Sequence, residues 1–318
     1  MKRLPRIFFA TDVHGSDICW KKFVAAAAFY KANLVILGGD MTGKALVPII
    51  AEKNGTYTLD FQDNHMVLKK PEEVSKLQKR ITDRGYYPLQ VDRSLLDGLT
   101  GEKLTEWSNE TFHKLMLERV KYWVNYADEK LKNSGVECYV CPGNDDQFNI
   151  DEVIRESKSI SLGEGKVVQV LGAHEMISSG WSTPTPWKTF RECSEEELAK
   201  KIESMTQQLK NPEKSIFNLH DPPFGSHLDE APDLTKDMDL KGGGRITKSV
   251  GSVAVKQAIE KYQPILGLHG HIHESKGVTK IGRTTCINPG SVYEEGTLMG
   301  VTVDLEDGKI KRYSLTAG

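Results

Sequence analysis

Three histidines fall within five positions in the stretch Leu268-His269-Gly270-His271-Ile272-His273. Histidines two residues apart on an irregular turn can converge on one centre, and neutral imidazole ligates zinc, iron, manganese or nickel. Taken alone, the cluster fits exposed loop histidines equally well. Four other short segments change that balance: Asp12-Val13-His14-Gly15, Gly38-Gly39-Asp40, Pro142-Gly143-Asn144-Asp145-Asp146 and His220-Asp221-Pro222-Pro223. Each offers a carboxylate, amide or imidazole of the hard or borderline kind that binds a transition metal.

Positioning these groups falls to the apolar runs that precede them. Residues 6–11, 34–37, 136–141, 215–219 and 264–268 read as buried strands, and every one of them ends at a ligand-bearing segment. In α/β sheets, functional groups gather beyond the carboxyl ends of strands, so these ends are expected to deliver their side chains to one crevice.

In this order, Asp-x-His, Gly-Asp, Gly-Asn, a lone His and Gly-His-x-His resemble the calcineurin-like metallophosphoesterase superfamily. The resemblance covers residues 4–43 and 136 to about 300. It implies a site for two divalent or trivalent transition-metal ions, drawn from Mn, Fe, Zn or Ni. One ion would be held by Asp12, His14, Asp40 and His273, the other by Asp40, Asn144, His220 and His271, with Asp40 as the bridging carboxylate. It further implies hydrolysis of a phosphomonoester or phosphodiester by a metal-activated water, since paired cations neutralise charge during in-line displacement. One departure concerns catalysis: many members have Gly-Asn-His where this chain has Gly143-Asn144-Asp145. Asp145 and the loop residue His227 are the candidate catalytic groups, but a carboxyl beside two dications is expected to be ionised and so a poor general acid, so that His227 or a metal-bound water would have to substitute for the usual histidine. The same departure keeps open a metal-bound scaffold of this fold that binds a partner without turnover.

Composition bounds the remaining classes. The chain has 318 residues, of which 38% are hydrophobic and 27% charged, ordinary values for a globular protein. A net charge of −2 gives no electrostatic footprint for nucleic acid, which disfavours a nuclease and favours a small-molecule or nucleotide-like phosphoester as partner. Met1-Lys2-Arg3-Leu4-Pro5 leads into the first strand without a signal-peptide core, and no run spans a membrane, so a cytoplasmic location is expected. An odd count of five cysteines argues against a disulfide framework. Cys138 and Cys141 lie three apart on one strand and so face opposite sides.

Between the ligand segments, Ser16 is placed to cap a helix reaching about Lys31, with Ile18, Phe23, Ala26, Ala27 and Tyr30 on its buried face. About a hundred residues then separate Asp40 from Asn144, and residues 44–108 read as an inserted cap that tunes substrate choice. Within it, alternation over 56–61 and 65–68 predicts a hairpin, and Pro71-Glu72-Glu73 opens a helix that Gly85 closes. A longer helix over 110–132 returns to the core layer. Residues 166–171 and 175–179 read as strands, 181–187 as an irregular loop, and Ser194 as the cap of a helix to about Leu209. Residues 221–248, with Lys241-Gly242-Gly243-Gly244-Arg245, read as a mobile lid. Two final strands meet at the turn Glu306-Asp307-Gly308. The expected architecture is α/β: a four-layer αββα sandwich of two packed mixed β-sheets flanked by helices, formed by residues 1–318 as a single domain with the cap inserted.

Overall fold

Alternation along the first strand, Arg6–Ala10, sets the layering. Ile7 and Phe9 pack into a core shared between two sheets, with Met176, Ile216, Leu266 and Val303 among their partners. Phe8 and Ala10 point the other way, into a core shared with helix residues Trp20, Phe23, Val120 and Trp123. This follows from the period-two geometry of a strand buried on both faces. The computed structural model describes residues 4–318 apart from 236, 238 and 307. Met1, Lys2 and Arg3, and the Asp307 position of the last expected turn, lie outside the described residues.

Each of the two main sheets has six strands. In the first, Arg6–Ala10, Leu34–Leu37, Glu137–Val140 and Ser161–Leu162 run parallel, and the antiparallel pair Met299–Glu306 and Lys309–Ala317 extends it beside the first strand. In the second, His174–Ser179, Ile216–Leu219, Leu266–Leu268 and Thr284–Asn288 are parallel, flanked antiparallel by Val167–Val170 and Gly277–Ile281. Helices Asp17–Phe29 and Glu102–Leu131 cover the outer face of the first sheet. Helices Glu195–Thr206 and Val253–Tyr262 cover the second through Leu198, Ile202, Val255 and Ile259. The result is the αββα sandwich of two mixed sheets read from the sequence. Among the described residues, no helix is long and apolar enough to cross a membrane.

The insert forms a four-stranded sheet in the order Asn64–Leu68, Tyr57–Phe61, Leu46–Ala51, Tyr87–Asp92. Helix Pro71–Asp83 packs on it through Val74, Leu77 and Ile81, giving the insert its own small core. The long helix starts at Glu102, about two turns before the expected 110, because residues 102–109 hold no breaker although they lack a buried stripe. The segment read as a lid is a short antiparallel arm, Glu230–Pro232 against Thr247–Ser249. Its Lys241 is 2.5 Å from Asp233, which also pairs with Lys248 at 3.1 Å, so the lysine of the glycine run is already paired.

Three glycines make the seam between insert and core. A Cβ on Gly85 would stand 2.1 Å from the carbonyl oxygen of His14, and one on Gly43 would stand 2.0 Å from that of Gly85. Gly15 fits as tightly, since its Cβ would lie 2.6 Å from Cα of Gly43. Ser16 Oγ donates to the carbonyl of Asp83 at 2.5 Å, and the amide of Gly43 donates to Tyr87 Oη at 2.9 Å. The insert therefore abuts the backbone that carries His14, and the sequence reading of a unit that only tunes substrate choice understates its part in the core.

This seam makes a stability prediction. Gly85→Ala adds a backbone collision to an unfavourable φ of +90°, whereas Gly55→Ala, at φ +83° with nothing within 4 Å, bears only the conformational strain. Urea unfolding is expected to show a loss of about 3 kcal/mol or more for the first and about 1–2 kcal/mol for the second. Equal losses would mean that the seam yields freely.

Candidate metal centre

Strand ends from both sheets supply the ligand-type side chains. Asp12 and His14 follow Arg6–Ala10, Asp40 follows Leu34–Leu37, and Asn144 follows Glu137–Val140, all in the first sheet. His220 follows Ile216–Leu219, and His271 and His273 follow Leu266–Leu268, in the second. The crevice lies where the two packed sheets meet. Hydrogen bonds continue the pairing past the strand ends: Asp12 N to Gly39 O at 3.0 Å, His14 N to Asp40 O at 3.0 Å, and Gly270 N to His220 O at 3.0 Å. Asp12, His14, Asp40 and His271 all adopt positive φ, between 38° and 66°. Such backbone costs about 1–3 kcal/mol per residue and gathers where function holds a side chain in a fixed direction.

At the centre, Asp40 Oδ2 lies 3.5 Å from His14 Nε2 and 3.5 Å from His220 Nε2. Its carboxylate stands midway between two histidine sets. On one side, His14 Nε2 faces His273 Nε2 at 3.0 Å, and Asp12 Oδ1 is 3.4 Å from His273 Nε2. On the other, Asn144 Oδ1 is 3.1 Å from His220 Nε2, and the rings of His220 and His271 have centroids 5.3 Å apart. Asp12-His14-His273 and Asp40-His220-His271 each hold their ligand atoms within 4.8 Å of one another, as does His14-Asp40-Asp145.

Electrostatics explains what such a cluster needs. Asp12 and Asp40 are buried, which opposes ionisation, yet their imidazole neighbours hold Asp12 down at about 2 and Asp40 well below the carboxylate range. Burial likewise opposes charge on His220, but Asp40 and Asp12 outweigh it and push its pKa up to about 10. His273 is raised for the same reason, through Asp12. Burial drives His14 down to about 3 and His271 down to about 4, leaving both neutral. The metal-free cluster thus holds a proton on His220 beside two buried carboxylates. Cations would serve the same need with stronger directional bonds, so the donor set of carboxylate, amide and imidazole fits metal.

Of the two candidate catalytic groups, Asp145 lies at this cluster and His227 does not. Asp145 donates its amide to Asp40 Oδ1 at 3.0 Å, and burial with the nearby Asp40 pushes its carboxyl up to about 7 against the pull of Lys44. His227 has a side chain 85% exposed and pairs with Glu230 at 2.6 Å, and none of its hydrogen bonds or ion pairs reaches the cluster. Other participants were missed from sequence. Lys44 Nζ is 3.4 Å from Asp145 Oδ2, and Asn144 Nδ2 donates to Thr189 Oγ1 at 2.9 Å. Tyr293 packs its ring 4.9 Å from His14 and 6.0 Å from His273. Arg191, 1% exposed, pairs with Asp151 at 2.6 Å and donates to the carbonyl of Asp146 at 3.0 Å, bracing the Asn144 loop. Only Lys44, directly after the Gly-Asp segment, carried a positional signal.

The ordered ligand set, delivered by strand ends of two face-to-face mixed sheets with helices outside, decides the fold. This arrangement is similar to that of the calcineurin-like metallophosphoesterase fold. The crystal structure of TT1561 of Thermus thermophilus is similar over 99% of this chain and 98% of its own, at 13% identity and a TM-score of 0.53. A further solved chain is similar over 99% of this one and 98% of its own, at 16% identity and a TM-score of 0.56. These likenesses are of fold. In sequence, the uncharacterized protein MJ1162 of Methanocaldococcus jannaschii is 33% identical over 157 residues, 48% of this chain and 64% of that protein, less than two thirds of its length. No protein-family model matches the chain. In this fold, the insert and the 181–193 loop flank the cluster, the first through Lys44 and the second through Thr189.

Charge and bracing each lead to an expected outcome. The proton on His220 must leave before its imidazole can ligate, so apparent affinity for manganese is expected to rise with pH from 6 to 8, by about tenfold per pH unit for that proton. Calorimetric titration in buffers of differing ionisation enthalpy reads the released protons, and a pH-independent affinity would contradict the charge assignment. Arg191→Met leaves Asp151 with only the more exposed Arg155, at 3.9 Å, and is expected to lower unfolding free energy by about 3–5 kcal/mol in urea. A loss below 1 kcal/mol would show that the pair does not brace the loop.

Proposed function

We propose that this chain is a dinuclear-metal-dependent hydrolase of phosphoester bonds. The observation that carries the reading is the position of Asp40, equidistant at 3.5 Å from His14 and His220 and so placed to serve two ligand sets at once. Asp12, His14, Asp40 and His273 would hold one ion, and Asp40, Asn144, His220 and His271 the other. When bound, two such cations polarise phosphoryl oxygens and lower the pKa of an attacking water.

The chain's own residues supply orientation and charge. Thr189 Oγ1 accepts from Asn144 Nδ2, which leaves Asn144 Oδ1 turned toward His220 and the cluster. His220 Nδ1 lies 3.0 Å from the carbonyl oxygen of Gly38, which directs Nε2 inward. At the mouth, the half-exposed Lys44 places a cation beside Asp145, where an anionic ester would arrive. That single-sided charge favours a small-molecule or nucleotide-like phosphoester over a nucleic acid duplex, which needs an extended basic surface. The competing reading, a metal-bound scaffold of the same fold without turnover, shares every ligand and differs only in outcome.

Elemental analysis and a chromogenic ester screen together test the proposal. Wild-type protein under saturating manganese is expected to carry two ions per chain and to hydrolyse an aryl phosphomonoester or phosphodiester. Asp40→Ala is expected to lose both ions and activity, since a shared carboxylate serves each ion. A wild-type stoichiometry of one or below would sink the dinuclear centre. Two bound ions with no turnover on either ester class would favour the scaffold.

A further inference from the structure

The two most deeply buried imidazoles of the cluster are not supported alike. His220 has its outward nitrogen, Nδ1, 3.0 Å from the Gly38 carbonyl oxygen, so a backbone acceptor fixes its ring. His14 also turns Nε2 inward, 3.0 Å from His273 Nε2 and 3.5 Å from Asp40 Oδ2. Its Nδ1 is buried without a hydrogen-bond partner. The acceptor that faces it is Oδ2 of Asp145, at 3.7 Å.

Asp145 is itself held from two directions. Its amide donates to Asp40 Oδ1 at 3.0 Å, tying its backbone to the shared carboxylate, and its Oδ2 is 3.4 Å from Lys44 Nζ. A movement of less than about 1 Å would bring Oδ2 within hydrogen-bond range of His14 Nδ1. Metal-ligating imidazoles generally give their second N–H to a carboxylate or carbonyl, which fixes the tautomer and the ring direction. Among the described residues of the cluster, His14 is the ligand candidate whose ring nitrogen is buried and unpartnered.

We infer that Asp145 is a positioning residue that accepts the Nδ1–H of His14, with Lys44 holding its carboxylate in place. The inference rests on the metal-centre reading above but not on any particular substrate. The task asks of Asp145 only an acceptor oxygen, which a carboxyl offers with or without a proton. Its rival is direct ligation by Asp145, whose ligand atom falls within 4.8 Å of those of His14 and Asp40.

The test uses full-length protein labelled with 15N-histidine and loaded with zinc, a diamagnetic probe, in the wild type, Asp145→Asn, Asp145→Ala and Lys44→Ala. Wild type is expected to show a protected imidazole N–H, assigned to His14 Nδ1 by its absence in His14→Asn. Asp145→Asn keeps an acceptor, so it is expected to retain the signal at a shifted frequency and to bind two zinc ions. Asp145→Ala is expected to lose the signal and to weaken one of the two zinc equivalents by about 10- to 100-fold in calorimetry. Lys44→Ala is expected to speed exchange of the same proton. Signal and affinity unchanged in Asp145→Ala would overturn the inference, as would an unshifted frequency in Asp145→Asn. Loss of a full zinc equivalent in Asp145→Asn would do so in favour of ligation. Circular dichroism of the metal-free variants identifies any that fail to fold, and the isosteric Asp145→Asn then decides alone. A folded wild type that binds no zinc would instead overturn the metal-centre reading.

Discussion

Two carboxylates, Asp12 and Asp40, are buried within one cluster of imidazoles, and the rest of the site is arranged around neutralising them. Isolated buried carboxylates would take up protons, because desolvation penalises the charged form. Here both are held down by their imidazole neighbours, among them a His220 whose pKa is pushed up to about 10. The strained backbone at Asp12, His14, Asp40 and His271 serves the same end, since each positive φ turns a side chain off its strand axis and into the cluster. Stability is given up locally to hold charge that only a cation, or protons in its place, can balance.

That arrangement depends on how the sheets meet. A single parallel sheet would deliver strand ends along a line, and ligands from outer strands would be one or two strand spacings of about 4.8 Å apart. Packing two sheets face to face lets Asp40 from one and His220 from the other approach to 3.5 Å. The inter-sheet core of Ile7, Phe9, Ile36, Ile216 and Leu268 is therefore what fixes the metal-site geometry, although none of these residues touches the cluster through a polar atom. Gly38 and Gly39 show how close the approach is, for a Cβ at Gly39 would meet the ring of His220 at 2.0 Å.

Sequence made much of this legible because the signals were local. Each ligand sits at the end of a short apolar strand, and a strand's end can be read from where its apolar run stops. What sequence could not show was which strands share a sheet, since the order within each sheet is set by long-range packing. The supporting residues were hidden for the same reason. Thr189 and Arg191 lie in an irregular loop, and Tyr293 follows a distant turn, so nothing in their neighbourhoods marks them as partners of Asn144 or His14. The long segment between Asp40 and Asn144 stood out by its length, but its contact with His14 runs through glycine backbones, which leave no residue-type signature of a contact.

The segment Gly143-Asn144-Asp145-Asp146 shows how one short loop divides three tasks by direction. Asp146 points inward, where its carboxylate accepts from the amides of Met41, Thr42 and Gly143 and from Thr42 Oγ1, at 2.7–2.8 Å. It thereby ties the loop after the third ligand strand to the loop carrying Asp40. Asn144 points across to His220, and Asp145 points toward His14 and Lys44. Gly143 permits the turn at this density, for a Cβ there would sit 2.2 Å from the Asp40 carboxylate. Adjacent acids of identical chemistry thus do unlike work: a carboxylate that receives four neutral donors ties two loops together, whereas one set between an imidazole and a lysine at the mouth is held by charged and titratable groups.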